Sequence, residues 1–320
     1  MHKEFLMGNA AIALGAVAAG VNVVAGYPGT PSTEVLETIA KHRPDDVYVE
    51  WSVNEKAAME LAAGASYAGA RSMVTMKQVG LNVASDPLMS LEYVGIKGGM
   101  VILVADDPGP ISSQTEQDTR HFSRFSKLPC FDPSSAQEAY EMIQEAFEYS
   151  EKYGTPVFLR PTTRVCHGYA SIMVKDETEY THHQPEGFIK DSKRWVIFPR
   201  LSFMNHKKIE ARNQELSDIF SSYEKNTIHP SCDAFKDSKK GIATGGISYT
   251  YTMETLKKTG MVKTLKIATP HPFPEKLAVD FLSGLDEVLC LEELDPVIER
   301  ELIYICLLYT SPSPRDRQKS

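Results

Sequence analysis

The stretch Val21-Asn22-Val23-Val24-Ala25-Gly26-Tyr27-Pro28-Gly29-Thr30-Pro31-Ser32 decides the fold. Its first half is an apolar run of strand length. Its second half is a turn stiffened by two prolines that feeds a helix, with Ser32 at the capping position. Upstream, Gly8 to Ala19 reads as a helix of small residues stopped by Gly20. Downstream the rhythm repeats: helix to about Lys41, strand Val47 to Glu50, a long helix from Asn54 through Ala68, strand Ser72 to Met76, helix Pro87 to Ile96, strand Met100 to Ala105, helix Ser135 to Lys152 and strand Pro156 to Leu159. Short apolar strands alternating with helices predict a doubly wound, parallel α/β sheet.

Residues 170 to 240 break this rhythm. They are polar and rich in His and Lys, with Trp195 to Phe198 the one expected strand, and they read as a long connection. From Gly241 the α/β pattern resumes: a strand to Thr244, a Gly245-Gly246 turn, helix Tyr249 to Lys258, strand Thr264 to Ala268, a proline-rich loop from Thr269 to Pro274, helix Glu275 to Leu282 and strand Glu287 to Leu291. A chain of 320 residues has room for roughly two domains of 100 to 200 residues each.

Composition narrows the class. With 42% apolar and 24% charged residues the chain can build real cores, which excludes general disorder and low-complexity architectures. A net charge of −8 with no Lys/Arg-rich block argues against nucleic acid or an anionic membrane as the main partner. The five cysteines (Cys130, Cys166, Cys232, Cys290, Cys306) are scattered with no C-x-x-C pair, so no metal or iron–sulfur site is expected here and reduced cytoplasmic thiols are. The apolar run Ala10 to Ala25 behind Lys3 has the outline of a short leader, but Gly15, Gly20 and Asn22 interrupt it and it runs straight into the turn the fold requires. No run reaches the roughly 18 apolar residues of a membrane span.

Three segments place unusual groups at strand ends, where doubly wound sheets bind ligands. In Tyr27 to Ser32, the Thr30 hydroxyl and the N–H groups of the helix start could receive a carboxylate, or the turn could simply be rigid and capped by Ser32. Glu55 stands in the first turn of a helix, where the helix dipole favours a carboxylate; it could equally close a Ser52-x-x-Glu55 capping box. The helix behind it is so rich in Ala and Gly that another element is expected to approach it closely. The third segment is Lys77 to Asn82 together with the polar loop Ser112 to Lys127, whose Arg120, His121 and Arg124 either line a pocket or are solvated.

Gly26-Tyr27-Pro28-Gly29-Thr30-Pro31-Ser32-Thr33, Val53-Asn54-Glu55-Lys56, Met76-Lys77-Gln78-Val79-Gly80-Leu81-Asn82 and Arg160-Pro161-Thr162-Thr163-Arg164 together resemble the alpha subunits of the indolepyruvate ferredoxin oxidoreductases, a thiamine-diphosphate-dependent 2-oxoacid:ferredoxin oxidoreductase family. Trp195 to Arg200, Gly245 to Tyr249 and Glu292-Glu293-Leu294-Asp295-Pro296 extend the likeness to nearly all of residues 1 to 305. The resemblance implies a pyrimidine-binding domain over residues 1–170, a connecting segment over 171–240 and a truncated transketolase C-terminal-like domain over 241–305. It implies that Glu55 hydrogen-bonds the pyrimidine ring of thiamine diphosphate, with Tyr27, Pro28, Gly29, Gly80 and Asn82 beside the cofactor. Thr30 would contact the oxoacid, and Arg120 or Arg124 would hold its carboxylate.

The resemblance further implies oxidative decarboxylation of aryl 2-oxoacids to acyl-CoA, with a beta subunit, coenzyme A and ferredoxin as partners. Mg²⁺ and 4Fe–4S clusters belong to the family, but neither a Gly-Asp-Gly…Asn motif nor a ferredoxin-like cysteine run occurs in this sequence. A sister enzyme for pyruvate or 2-oxoglutarate and a non-catalytic scaffold are the competing expectations; a scaffold has no need of a carboxylate at Glu55. From Cys306 to Ser320 the sequence resembles the translation of a sequencing-library adapter and is expected to be an artefact, with the native gene continuing past Ile305.

Overall fold

The computed structural model describes residues 1–310. The first unit runs β1 (His2–Met7), α1 (Gly8–Ala18), β2 (Val23–Gly26), α2 (Thr33–His42), β3 (Tyr48–Trp51), α3 (Glu55–Tyr67), β4 (Ser72–Lys77), α4 (Gln78–Val94), β5 (Met100–Ala105), α5 (Thr119–Ser126), β6 (Cys130–Phe131), α6 (Ala136–Tyr153), β7 (Val157–Leu159), α7 (Thr163–Cys166) and β8 (Tyr169–Val174). Six of these strands form one parallel sheet in the order β3-β2-β4-β5-β7-β6. β1 pairs antiparallel with β8 in a separate two-stranded ribbon.

The central strands are apolar on both faces because both faces are covered. Successive residues point to opposite sides, so Val24, Met73, Val101 and Leu103 join the core under α1, α2 and α6, while Ala25, Val74, Ile102 and Val104 join the one under α3 and α4. Val23 pairs with Tyr48 on one side and Ser72 on the other. The chain leaves β2 towards β3 and then crosses back to β4, so the sheet's switch point lies between the carboxyl ends of β2 and β4.

Beyond the ribbon come α8 (Ser192–Trp195), α9 (Pro199–Phe220) and β9 (Thr227–His229), followed by β10 (Lys240–Gly245), α10 (Gly246–Thr259), β11 (Lys263–Ile267), α11 (Glu275–Leu282), β12 (Glu287–Leu291) and α12 (Val297–Thr310). A second sheet has the order β12-β10-β11-β9, with β9 antiparallel to β11 and the other pairs parallel. Its core is built around Ala243, Leu265, Phe281, Ile298 and Leu302.

Four expectations need correction. Trp195 to Phe198 is not a strand: it joins α8 to the 22-residue helix α9, whose Leu216 and Phe220 pack into the core of the first unit. The polar stretch 112–127 contains α5, capped where the Asp118 side chain accepts from the Arg120 N–H. The helix expected to start at Pro87 starts at Gln78, and burial of Leu81, Ala84, Leu88 and Leu91 at helical spacing carries it through the proline. Ser32 does not cap α2 with its side chain; its hydroxyl donates to the Gly29 carbonyl instead. Of the adapter-like tail, residues 306–310 continue α12, and 311–320 lie outside the described residues. Among the described residues no helix is long and apolar enough to cross a membrane.

Candidate active site

At the switch point the turn after β2 leaves Tyr27, Pro28 and Thr30 exposed and Gly29 half-buried. Local hydrogen bonds fix it: the Gly29 N–H donates to Thr33 Oγ1 at 3.0 Å, and the Asn9 side chain donates to the Pro31 carbonyl at 2.6 Å. The exposed Thr30 hydroxyl has no hydrogen-bond partner among the described residues.

Glu55 opens α3, but the expected capping box does not form. Asn54 is the cap, its Oδ1 accepting from the Ala57 N–H at 2.9 Å, and Ser52 donates to Glu50 at 3.0 Å. The Glu55 carboxylate is therefore left without a hydrogen bond or ion pair among the described residues, half-buried at the positive end of α3. It leans on Gly80, in the first turn of α4. A Cβ at Gly80 would stand 2.5 Å from Glu55 Oε1 and 2.7 Å from Cγ, so only glycine leaves the carboxylate this position.

The start of α4 carries a second polar group. The Lys77 stem lies across Gly29, where a Cβ would come within 3.1 Å of Cγ, and its ammonium donates to Gln114 Oε1 at 3.0 Å. The buried Gln78 side chain donates to the Thr115 carbonyl, and Asn82 to Gln117 Oε1, both at 3.1 Å. These three contacts hold the loop between β5 and α5 over the beginning of α4. Asp107 holds the same loop from below, Oδ2 accepting from the N–H groups of Ile111, Ser112 and Ser113. The sequence set the segments of Lys77 and Gln114 together as a candidate, but the two residues are 37 positions apart and no local pattern signals that these side chains pair.

Neither arginine is brought to this group. Arg120 is buried, with Nε and Nη2 on Asp118 at 2.9 and 2.6 Å, Nη1 on Glu292 at 2.7 Å, and Nη2 also on the carbonyls of Glu293 and Asp295. Arg124 is exposed and pairs with Glu301 of α12. Both side chains turn to the second unit. Behind them the fully buried Arg160 meets Asp106 at 2.6 Å and Asp132 at 3.3 Å. Burial pushes the Asp132 carboxyl up to about 6 despite the neighbouring guanidinium groups, whereas Arg160 and Arg120 outweigh burial at Asp118 and hold it at about 2. The trio Asp118, His121 and Asp295 could supply three metal-ligand atoms, but Asp118 is engaged by Arg120 and His121 by Asp295. A cavity of about 700 Å³ beside α9 opens next to Val94–Ile96 and Gly154, which precede β5 and β7, on the opposite edge of the sheet from Glu55.

Residues 14–230 match the family described as pyruvate flavodoxin/ferredoxin oxidoreductase, thiamine diphosphate-binding. The chain is 43% identical over 308 residues to the indolepyruvate oxidoreductase subunit IorA of Methanothermobacter thermautotrophicus, covering 95% of this chain and 48% of the relative. It is 42% identical over 307 residues to the corresponding subunit of Pyrococcus abyssi, covering 94% and 47%. The chain thus spans about half the length of the curated relatives it matches. Among solved structures, the 2-oxoglutarate:ferredoxin oxidoreductase from Magnetococcus marinus with 2-oxoglutarate, coenzyme A and succinyl-CoA bound has the same fold, with a TM-score of 0.76 at 18% identity over 97% of this chain and 60% of that one.

Proposed function

This chain belongs to the pyruvate flavodoxin/ferredoxin oxidoreductase, thiamine diphosphate-binding family, and from that membership we propose that it forms the pyrimidine-holding part of an aryl 2-oxoacid oxidoreductase subunit of the indolepyruvate class. The complete enzyme converts the 2-oxoacid and coenzyme A to acyl-CoA and carbon dioxide and passes two electrons to ferredoxin, working with a beta subunit in the cytoplasm. The complete enzyme would also hold Mg²⁺ and 4Fe–4S clusters.

The observation that carries the reading is the unpaired Glu55 carboxylate against Gly80. A purely structural glutamate at a helix start would be capping or solvated; this one is kept free and turned to a neighbour that has no side chain. The arrangement fits the pyrimidine end of thiamine diphosphate, which when bound supplies the carbanion-stabilising chemistry of oxoacid decarboxylation. Glu55 would hold a proton against a ring nitrogen, and Tyr27, Pro28, Gly29, Gly80 and Asn82 would border the ring. The Thr30 hydroxyl, exposed on the turn, would donate to the oxoacid.

The expected outcome for Glu55→Gln, introduced into the complete subunit, is loss of oxoacid-dependent ferredoxin reduction by a factor on the order of 10² or more, because glutamine keeps the shape but cannot exchange the proton. Circular dichroism and the melting temperature should not move. Activity within about threefold of the parent would remove Glu55 from the mechanism and favour a scaffold role.

A further inference from the structure

An aryl 2-oxoacid needs a cation for its carboxylate, and the two arginines on α5 are neutralised by Asp118, Glu292 and Glu301. We propose that Lys77 is the residue that binds the substrate carboxylate, an inference that rests on the oxoacid reading above. Lys77 stands at the switch point itself, where β4 passes into α4, with its stem on Gly29 beside the exposed Thr30 and with Gly80, three residues on, against Glu55. The ammonium donates to one neutral acceptor, Gln114 Oε1, and no carboxylate of the described residues lies within ion-pairing distance of it. Two of its three N–H donors remain for a ligand.

The position is locally unfavourable for a lysine. Lys77 is the N-cap of a 17-residue helix, contributes no side-chain cap bond and adds a positive charge to the positive end of the helix dipole. Nothing in the folding of α4 calls for a cation there, and local rules are broken in this way where a site requires it. An incoming carboxylate resolves the conflict, meeting the ammonium and the first N–H groups of α4 together. Gln114, on the loop between β5 and α5, would keep the ammonium pointed at the site without neutralising it.

The test compares phenylpyruvate with its methyl ester, which keeps the aryl ketone and removes the charge, by ligand-observed NMR titration of the assembled enzyme that contains this chain. The parent enzyme should prefer the acid by about ten- to a hundredfold. Lys77→Met should erase that preference while leaving ester affinity unchanged, and Lys77→Arg should restore most of it; unaltered circular dichroism checks the fold of each variant. Retention of the preference in Lys77→Met, or its loss in Arg124→Gln instead, overturns the proposal and leaves the oxoacid reading intact. An enzyme that binds neither the acid nor the ester overturns that reading as well.

Discussion

On the proposed role of Glu55, Gly80 is a position where catalysis and stability should separate. It lies in the first turn of α4 with no left-handed backbone torsion, so nothing in the helix requires glycine; only the Glu55 side chain does. Gly80→Ala should therefore move two measurements in opposite directions. Alanine in a helix is favoured over glycine by up to about 1 kcal/mol, so the melting temperature should hold or rise. The same methyl would displace the Glu55 carboxylate, and a shift of that size at a reacting group lowers turnover of the assembled enzyme by roughly 10². If activity survived while stability rose, Glu55 would be free to reach its position by another route and the contact would have no catalytic meaning.

Elements were legible in the sequence where burial imposes a period and illegible where it does not. Met100 to Ala105 is buried throughout and reads as a strand without ambiguity, and Glu275–Leu282 and Glu287–Leu291 have the bounds the pattern predicts. In contrast, α9 buries only Ile209, Leu216, Ser217 and Phe220 over 22 residues, too sparse a stripe to stand out from a polar connection. The site divides in the same way. The turn at Gly29 and the helix start at Glu55 are local signals, while Arg120's partners in the second unit lie 172 to 175 positions downstream and no local pattern discloses them. The small residues of the helices also differ in meaning. A Cβ at Gly15 of α1 would meet Ile143 Cγ2 at 2.5 Å and the Tyr140 carbonyl at 2.6 Å, so that glycine is what lets α1 approach α6. Gly64 of α3 has nothing within 4 Å, so the close approach expected along the whole Ala/Gly-rich helix is confined to its buried side. Urea unfolding should show Gly15→Ala destabilising by about 1–3 kcal/mol through overpacking, and Gly64→Ala stabilising by about 0.5–1 kcal/mol through propensity. Equal effects at the two sites would mean that the helix pair adjusts freely.

At the scale of the whole molecule, the two sheets are joined through buried charge. Arg160 and Asp132 close β7 and β6 of the first unit; Asp132 lies against Gly246 at the start of α10, where a Cβ would be 3.1 Å from its Oδ1, and Arg120 reaches Glu292 after β12. This network makes the junction sensitive to pH, and the sign follows from two carboxyl groups moved in opposite directions. Asp132, raised to about 6 by burial from an unfolded value of about 3.9, holds its proton more tightly in the folded state, so its contribution is full at low pH and is lost as pH rises through 6. Asp118, held at about 2, contributes above its unfolded value and loses that contribution as pH falls towards 2. The junction should be firmest at about pH 4 and weaken from there to about pH 6. Glu92, raised to about 7 by burial although paired with Arg212, has the same sign as Asp132 and extends the decline to about pH 7. Thermal unfolding of the chain should accordingly show a falling midpoint from about pH 4.5 to 7. Asp132→Asn, which cannot ionise, should remove part of the decline below about pH 6 and leave the part due to Glu92, which runs to about pH 7. An unchanged slope in Asp132→Asn would show that this carboxyl is already ionised across the range and that the two units are held by the arginines alone.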